Sequence, residues 1–177
     1  MRLFTAIDIS DEIKERLRAF LEPLRPLAKI SWSSIANLHI TTKFIGEWPD
    51  ARLNEVKTAL ASVQHRGAIG IHVRGVGWFP NARHPRVLWA GVIVDAMLAN
   101  LASATEGVVT PLGVHREDRD YNPHLTLARI RDAVPLDHLR NALNGQSHDF
   151  GAFRASAFFL YLSRAGKYTK LAEYSLE

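Results

Sequence analysis

Hydrophobic positions along the chain keep two rhythms, one of strands and one of helices. Residues 2–7 form an apolar stretch of good β-formers that ends at the turn signal Asp8-Ile-Ser10, and they predict a first strand. Ser10 has the character of a helix N-cap, with Asp11 and Glu12 in the first turn, where the helix dipole favours negative charge. Ile13, Leu17, Phe20, Leu21 and Leu24 then fall on one helical face, and Pro26 ends the run. A second helix is predicted with Asp50 as its cap and Leu53, Val56, Leu60 and Val63 as its apolar stripe. Two β-like stretches, 29–33 and 38–46, lie between these helices.

Residues 69–79 alternate, with Ile71 and Val73 on one face and His72 and Arg74 on the other. Residues 86–94 read as a more buried strand, joined to the previous one through 80–85. A third helix is predicted from Asp95 to about Val109, closed by Pro111 and Gly113. A charged loop (115–120), a strand (123–130), a short helix from near Pro135 and a terminal hairpin complete the chain. The hairpin is predicted as 153–162 and 168–176, turning at 164–167. Strands and helices mixed in this way predict an α+β fold with mainly antiparallel sheets.

Composition narrows the chemistry. The 177 residues are 47% hydrophobic and 23% charged, which excludes a disordered protein. A net charge of +4 permits an anionic partner. The absence of cysteine excludes disulfides, thiol nucleophiles, iron–sulfur clusters and thiolate zinc sites. The longest apolar run, Val87 to Val94, is far shorter than the ~20 residues of a membrane helix, and Asp8 interrupts any signal-peptide core, so a cytoplasmic protein without a membrane partner is expected. No low-complexity linker divides the chain, which predicts one domain over 1–177, and nothing in it calls for a cofactor.

One internal echo carries candidate chemistry. Asn37-Leu-His39-Ile-Thr41-Thr and Asn122-Pro-His124-Leu-Thr126-Leu share a His-x-Thr triplet in an apolar, β-like context, and the two histidines stand 85 residues apart, near half the chain. On a strand, residues i and i+2 share a face, so His39 projects with Thr41 and His124 with Thr126. Two halves related by a pseudo-two-fold axis would line one groove with both pairs. Two imidazoles with ordinary pKa near 6.5 can divide general base and general acid work at neutral pH, and two hydroxyls can donate to phosphate oxygens. That set suits phosphodiester hydrolysis without metal or covalent intermediate. The other six histidines share no such pattern, and the chain has no His-Glu-x-x-His.

With these motifs the chain resembles the two-histidine phosphoesterases, and within them the bacterial and archaeal RNA 2′,3′-cyclic phosphodiesterases, also called 2′-5′ RNA ligases. The likeness runs through "NLHITTKFIGEW", "GVGWFPNARHPRVLWAGV", "RDYNPHLTLARI" and "LYLSRAGKYTKL". It departs at Thr42, where the family more often has Leu, and in a shorter final hairpin turn. The resemblance implies a bilobal fold of two pseudo-symmetric halves, with antiparallel sheets around a central groove and helices outside. It implies metal-independent opening of a terminal 2′,3′-cyclic phosphate to a 2′-phosphate, with weaker 2′-5′ joining, on RNA ends or nucleoside 2′,3′-cyclic phosphates; a monomer is expected. It makes His39 and His124 the acid–base pair and Thr41 and Thr126 the phosphate holders, with Arg129 as a further phosphate contact.

Arg129 lies five residues after His124, so strict alternation points it away unless a bulge intervenes. Lys43, four after His39, has the right parity and is a second substrate-binding candidate. His39 is expected as the acid and His124 as the base. The alternatives are a phosphodiesterase for another small cyclic phosphate or a 2′-5′ oligonucleotide, and a non-catalytic RNA-binding module using Arg83, Arg86, Arg116 and Arg119 with Trp78, Phe79 and Tyr121.

Overall fold

The structure, a computed structural model, describes residues 1–65, 67–94 and 96–177. The expected helix start at Asp95 lies outside the described residues. The strands are β1 (Arg2–Asp8), β2 (Ser31–Trp32), β3 (His39–Glu47), β4 (Ile69–Phe79), β5 (Val87–Val94), β6 (His124–Arg129), β7 (Asp149–Ala155), β8 (Ala157–Arg164) and β9 (Lys167–Ser175). The α-helices are α1 (Asp11–Leu21), α2 (Leu53–Ala61), α3 (Ala96–Val109) and α4 (Asp137–Leu143). Ser10 caps α1 through its Oγ, which accepts from the Ile13 N–H, and the helix buries Ile13, Leu17 and Leu21. Asp50 caps nothing: a 3₁₀ turn over Asp50–Arg52 precedes α2, so the regular helix begins two residues later than a cap at 50 requires.

Two antiparallel sheets result, ordered β3-β1-β8-β9 and β2-β6-β5-β4-β7. The predicted terminal strand 153–162 is two strands, because the chain changes sheets at Ser156. β7 pairs with β4, whereas β8 pairs with β1 and β9. The two β-stretches read as one because Ala155-Ser156-Ala157 carries no Gly, Pro, Asn or Asp. Pairing tells them apart, since β7 alternates in burial while Phe158 to Tyr161 are buried on both faces. The echo along the chain is therefore not a simple pair of tandem halves. The first sheet joins the N-terminal strands to the C-terminal hairpin, and the second takes the middle of the chain plus β2.

The helices lie outside the sheets and tie the two together. Arg16 of α1 donates to the Phe150 carbonyl of β7 at 3.1 Å, passing over Gly151, where a Cβ would collide with the guanidinium. Lys43 of β3 reaches Glu106 of α3. One apolar core joins both sheets through Leu3, Ile7, Leu17, Ile40, Ile71, Leu88, Leu125 and Leu160. Each such side chain contributes about 1.5–3 kcal/mol by leaving water.

A matching irregularity sits in both motif strands. Ala6 opposes Thr41 and Thr5 opposes Lys43, so Thr42 is an extra residue in β3. Trp89 opposes Thr126 and Leu88 opposes Ala128, so Leu127 is an extra residue in β6. Each bulge falls three residues after its histidine and reverses the in–out alternation beyond it. The burial sequence from His39 to Phe44 is accordingly the same as that from His124 to Arg129. Thr42, the departure from the usual Leu, is buried and satisfied, its hydroxyl 2.7 Å from that of Thr5.

Candidate active site

His39 opens β3 and His124 opens β6, and both line one groove of roughly 1440 Å³ with Thr41, Thr126 and Arg129. Each imidazole is tied at the same atom. Nδ1 of His39 lies 2.7 Å from the Asn37 carbonyl, and Nδ1 of His124 lies 2.8 Å from the Asn122 carbonyl. A carbonyl oxygen only accepts, so each Nδ1 carries the proton and each Nε2 is left to take or give one. The asparagine two residues before each histidine, visible in the sequence as a turn opener, sets this tautomer with its main chain.

Aromatic rings fix the planes of both imidazoles. His39 packs against Phe4 at 4.8 Å between centroids and meets Tyr168 edge-on at 5.1 Å. His124 meets Phe79 edge-on at 5.1 Å, and Trp89 packs behind Phe79. Burial pushes the His39 imidazole below its usual pKa, with Arg129 and His124 acting in the same direction and the Asn37 carbonyl and Asp8 opposing it.

The two motifs also hold each other. The Tyr121 hydroxyl, just before the second motif, donates to the Thr41 carbonyl at 2.8 Å. The Ser33 hydroxyl, just before the first, donates to the Thr126 carbonyl at 2.7 Å, and the Ser33 N–H bonds the Leu127 carbonyl at 2.9 Å. Each bonded threonine carbonyl thus lies beside a bulge and receives a hydroxyl from the segment leading into the other motif.

The bulges sort the remaining candidates. Arg129 turns into the groove, with Arg131 further along the same wall. Lys43 turns out of it, contrary to its expected parity. Its ammonium lies 2.7 Å from Glu106 and 2.9 Å from the His115 carbonyl, with only 4% of the side chain exposed. This pair holds the Glu106 carboxyl below the usual carboxylate range. Lys43 therefore ties β3 to α3 and lies outside the lining of the groove.

The sequence reading missed Phe44, which takes the groove position expected of Lys43. It is 45% exposed, and the Arg2 guanidinium sits 4.9 Å from its ring centre. Trp32 and Ser33 line the groove as well. Of the other surface candidates, Phe79 braces His124, Arg86 bonds the Arg131 carbonyl, Arg116 faces Glu106, and Trp78 lines a separate small cavity. Among the described residues no group of three or more His, Cys, Asp or Glu is placed to hold a metal ion, and no helix is long and apolar enough to cross a membrane.

This arrangement has counterparts among known proteins. The family described as LigT like Phosphoesterase matches residues 7–89. The chain is 36% identical over 135 residues to the RNA 2′,3′-cyclic phosphodiesterase of Archaeoglobus fulgidus, covering 76% of each chain. It is 35% identical over 164 residues to the protein of the same name from Methanocaldococcus jannaschii, covering 92% of this chain and 91% of that one. Its fold superposes on the crystal structure of TT0787 from Thermus thermophilus with a TM-score of 0.83 at 26% identity, covering 99% of this chain and 98% of that one. The paired histidine strands, the groove between them and these relatives place the chain in the LigT-like phosphoesterase family.

Proposed function

We propose that the protein hydrolyses the 2′,3′-cyclic phosphate at the end of an RNA to a 2′-phosphate by acid–base catalysis on His39 and His124. The carrying observation is the pair of imidazoles on one groove, each with Nδ1 held by a main-chain carbonyl and Nε2 free. The names of the relatives point to the same substrate. In the reaction, one Nε2 takes a proton from water as the water oxygen bonds to phosphorus. The P–O3′ bond breaks, and the other Nε2 gives its proton to O3′. Thr41, Thr126 and Arg129 donate to the phosphoryl oxygens, on which negative charge gathers.

Burial favours neutral His39, the form a base requires, so His39 is assigned to the water and His124 to O3′. This reverses the assignment expected from the sequence. An RNA 5′-hydroxyl in place of the water would form a 2′-5′ linkage by the same proton movements. The residues described supply acid, base and anion donors, so the reaction needs no divalent metal. The groove also exceeds the ~300–1,000 Å³ of ordinary small-molecule sites, which favours a nucleotide chain over an isolated cyclic nucleotide.

The test is incubation of a nucleoside 2′,3′-cyclic phosphate, and of an RNA ending in one, with excess EDTA, the product being assigned by phosphorus NMR. A 2′-phosphate, formed faster from the RNA, is expected. A 3′-phosphate product, or activity lost in EDTA and restored by a metal, overturns the reading.

A further inference from the structure

A second, smaller cavity of about 240 Å³ adjoins the groove and shares His39 with it; Asp8, Lys14, Tyr161, Tyr168 and Lys170 complete most of its wall. Asp8 closes β1 and is the cross-strand partner of His39. Its carboxylate does not bond the His39 Nδ1, which the Asn37 carbonyl already occupies. Instead the Tyr161 hydroxyl donates to one carboxylate oxygen and the Lys170 ammonium lies 2.6 Å from the other. Lys170 is placed in turn over the Phe159 ring, 3.7 Å from its centre. The carboxylate is thus fixed by two neighbouring strands beside the imidazole, without a hydrogen bond through which to take its proton.

The cross-strand position behind the other histidine carries no side chain. The cross-strand partner of His124 is Gly91. The difference matters because a base that has taken a proton from water becomes an imidazolium, and His39 would carry that charge against Phe4 and Tyr168. Arg129 and His124 on β6 oppose the charge across the groove, and Lys14 on α1 and Lys170 on β9 add positive charge from the small cavity. The Tyr161 and Tyr168 rings face the imidazole, and burial and the Asp8 carboxylate hold the Tyr161 hydroxyl protonated. Among the described residues, Asp8 is the anion whose charge acts on His39, while Glu47 and Asp50 line the wider groove.

We propose that Asp8, fixed by Tyr161 and Lys170, is a positioning residue for the reaction: its carboxylate stabilises the imidazolium that His39 becomes on taking the proton of the attacking water. The proposal rests on the two-histidine reading above and deepens it, because it gives the histidine that takes the proton a counter-charge against the burial that otherwise disfavours its charged form. The two phosphate-facing motifs are alike in backbone, and the strand behind them breaks their equivalence. Lys170 and Tyr161 orient the carboxylate and also temper it, so removing either leaves Asp8 a stronger influence on His39.

The test compares Asp8→Asn, Lys170→Met and Tyr161→Phe by two readouts: NMR titration of the His39 and His124 ring protons, and the pH profile of kcat/KM on a nucleoside 2′,3′-cyclic phosphate. Asp8→Asn should move the His39 midpoint, and the acidic limb of the rate profile, down by about half a pH unit, whereas Lys170→Met and Tyr161→Phe should move both up. The His124 midpoint should stay in place. A purely structural role would move no midpoint, or would move it in one direction in all three variants, and either result overturns the proposal. If Asp8→Asn fails to fold, the sign of the Tyr161→Phe shift decides, because that variant alters the Asp8 carboxylate without removing a charge of its own. Opposite NMR shifts in a protein that leaves cyclic phosphates intact would overturn the functional reading on which the proposal rests, while confirming the Asp8–His39 coupling.

Discussion

From His39 to Phe44 and from His124 to Arg129 the side chains turn in and out in the same order, through the same bulge, with the same main-chain tie on Nδ1. What differs is the residue at the end of each run and the strand behind it. The first run ends in Phe44 and is backed by Asp8, and the second ends in Arg129 and is backed by Gly91. Backbone geometry repeats the general parts of the site, a proton carrier and a hydroxyl. Side chains at the fifth position and across the ladder then specialise the halves, one toward a ring and one toward an anion.

The comparison is broken most severely at the histidines. His39→Ala and His124→Ala should each lower kcat by about 10²–10⁴-fold, with the fold retained in circular dichroism and thermal melting. A substrate with an activated leaving group in the O3′ position, such as an aryl phosphodiester, separates the roles. Such a leaving group departs without a proton, so His124→Ala should recover most of its rate while His39→Ala should not. Rescue of His39→Ala alone would restore the assignment expected from the sequence.

Arg129, expected from the resemblance, and Lys43, expected from strand parity, are opposite in structure, and their variants should fail differently. Arg129→Ala removes charge-assisted hydrogen bonds worth about 1.5–3 kcal/mol, a loss of about 10–100-fold in kcat/KM, with stability little changed. Lys43→Met should leave substrate binding near normal but take the buried partner from Glu106, which keeps the Glu117 N–H and the exposed Arg116, lowering unfolding stability by about 1.5–3 kcal/mol in urea titration. The pH dependence follows from Glu106, whose carboxyl is held below its ordinary 4.5 mainly by its hydrogen bond from Lys43. A depressed carboxylate stabilises the fold above its unfolded pKa, and that contribution is lost as pH falls through the folded value. Wild type should therefore lose this stability below about pH 4.5, and Lys43→Met should show a flatter acid limb.

Phe44 sharpens the comparison from the other side. With its ring exposed and Arg2 against it, it is placed to stack a nucleobase, an interaction worth about 1–3 kcal/mol per base. Phe44→Ala should raise KM for an RNA by about 5–100-fold with little change in kcat. Equal effects on kcat and kcat/KM would place Phe44 at the reacting phosphate instead.

These effects follow the divide between what the sequence displays and what it conceals. The capped helix at Ser10, the alternation of 69–74 and the His–Thr faces are legible because local pattern and burial agree there, whereas 75–79 are uniformly half-buried beyond an irregularity after Val73. The bulges are not, since Thr42 and Leu127 are ordinary strand residues and no glycine marks them. Extending alternation past them placed Lys43 in the groove and left Phe44 unnoticed. Aligning the two motifs offers a signal that simple parity lacks: at the fourth position Lys43 stands opposite Ala128, a residue with little to offer a phosphate, and at the fifth Phe44 stands opposite Arg129. The exchange of strands between sheets was hidden for a different reason. It depends on pairings far apart in sequence, β1 with β8 above all, which no local window contains.

The smallest expected effect tests whether the two halves act as one frame. Ser33 and Tyr121 each cross from the segment before one motif to the threonine carbonyl of the other. Ser33→Ala and Tyr121→Phe each delete one hydroxyl and leave a carbonyl without that partner, a cost of about 1 kcal/mol in stability. Because each bond anchors the backbone of a phosphate-holding threonine, each variant should also lose a few-fold in kcat/KM, more through kcat as reacting groups drift from alignment. If the crossings restrain one shared groove geometry, the second deletion finds the groove already loosened, and the double variant should lose less activity than the product of the single losses. If each motif is held independently, the losses multiply within about 0.5 kcal/mol of additivity. A double-mutant cycle on kcat/KM, run beside one on urea stability, separates the two cases: coupling in activity with additivity in stability marks a frame that serves the reaction beyond holding the fold together.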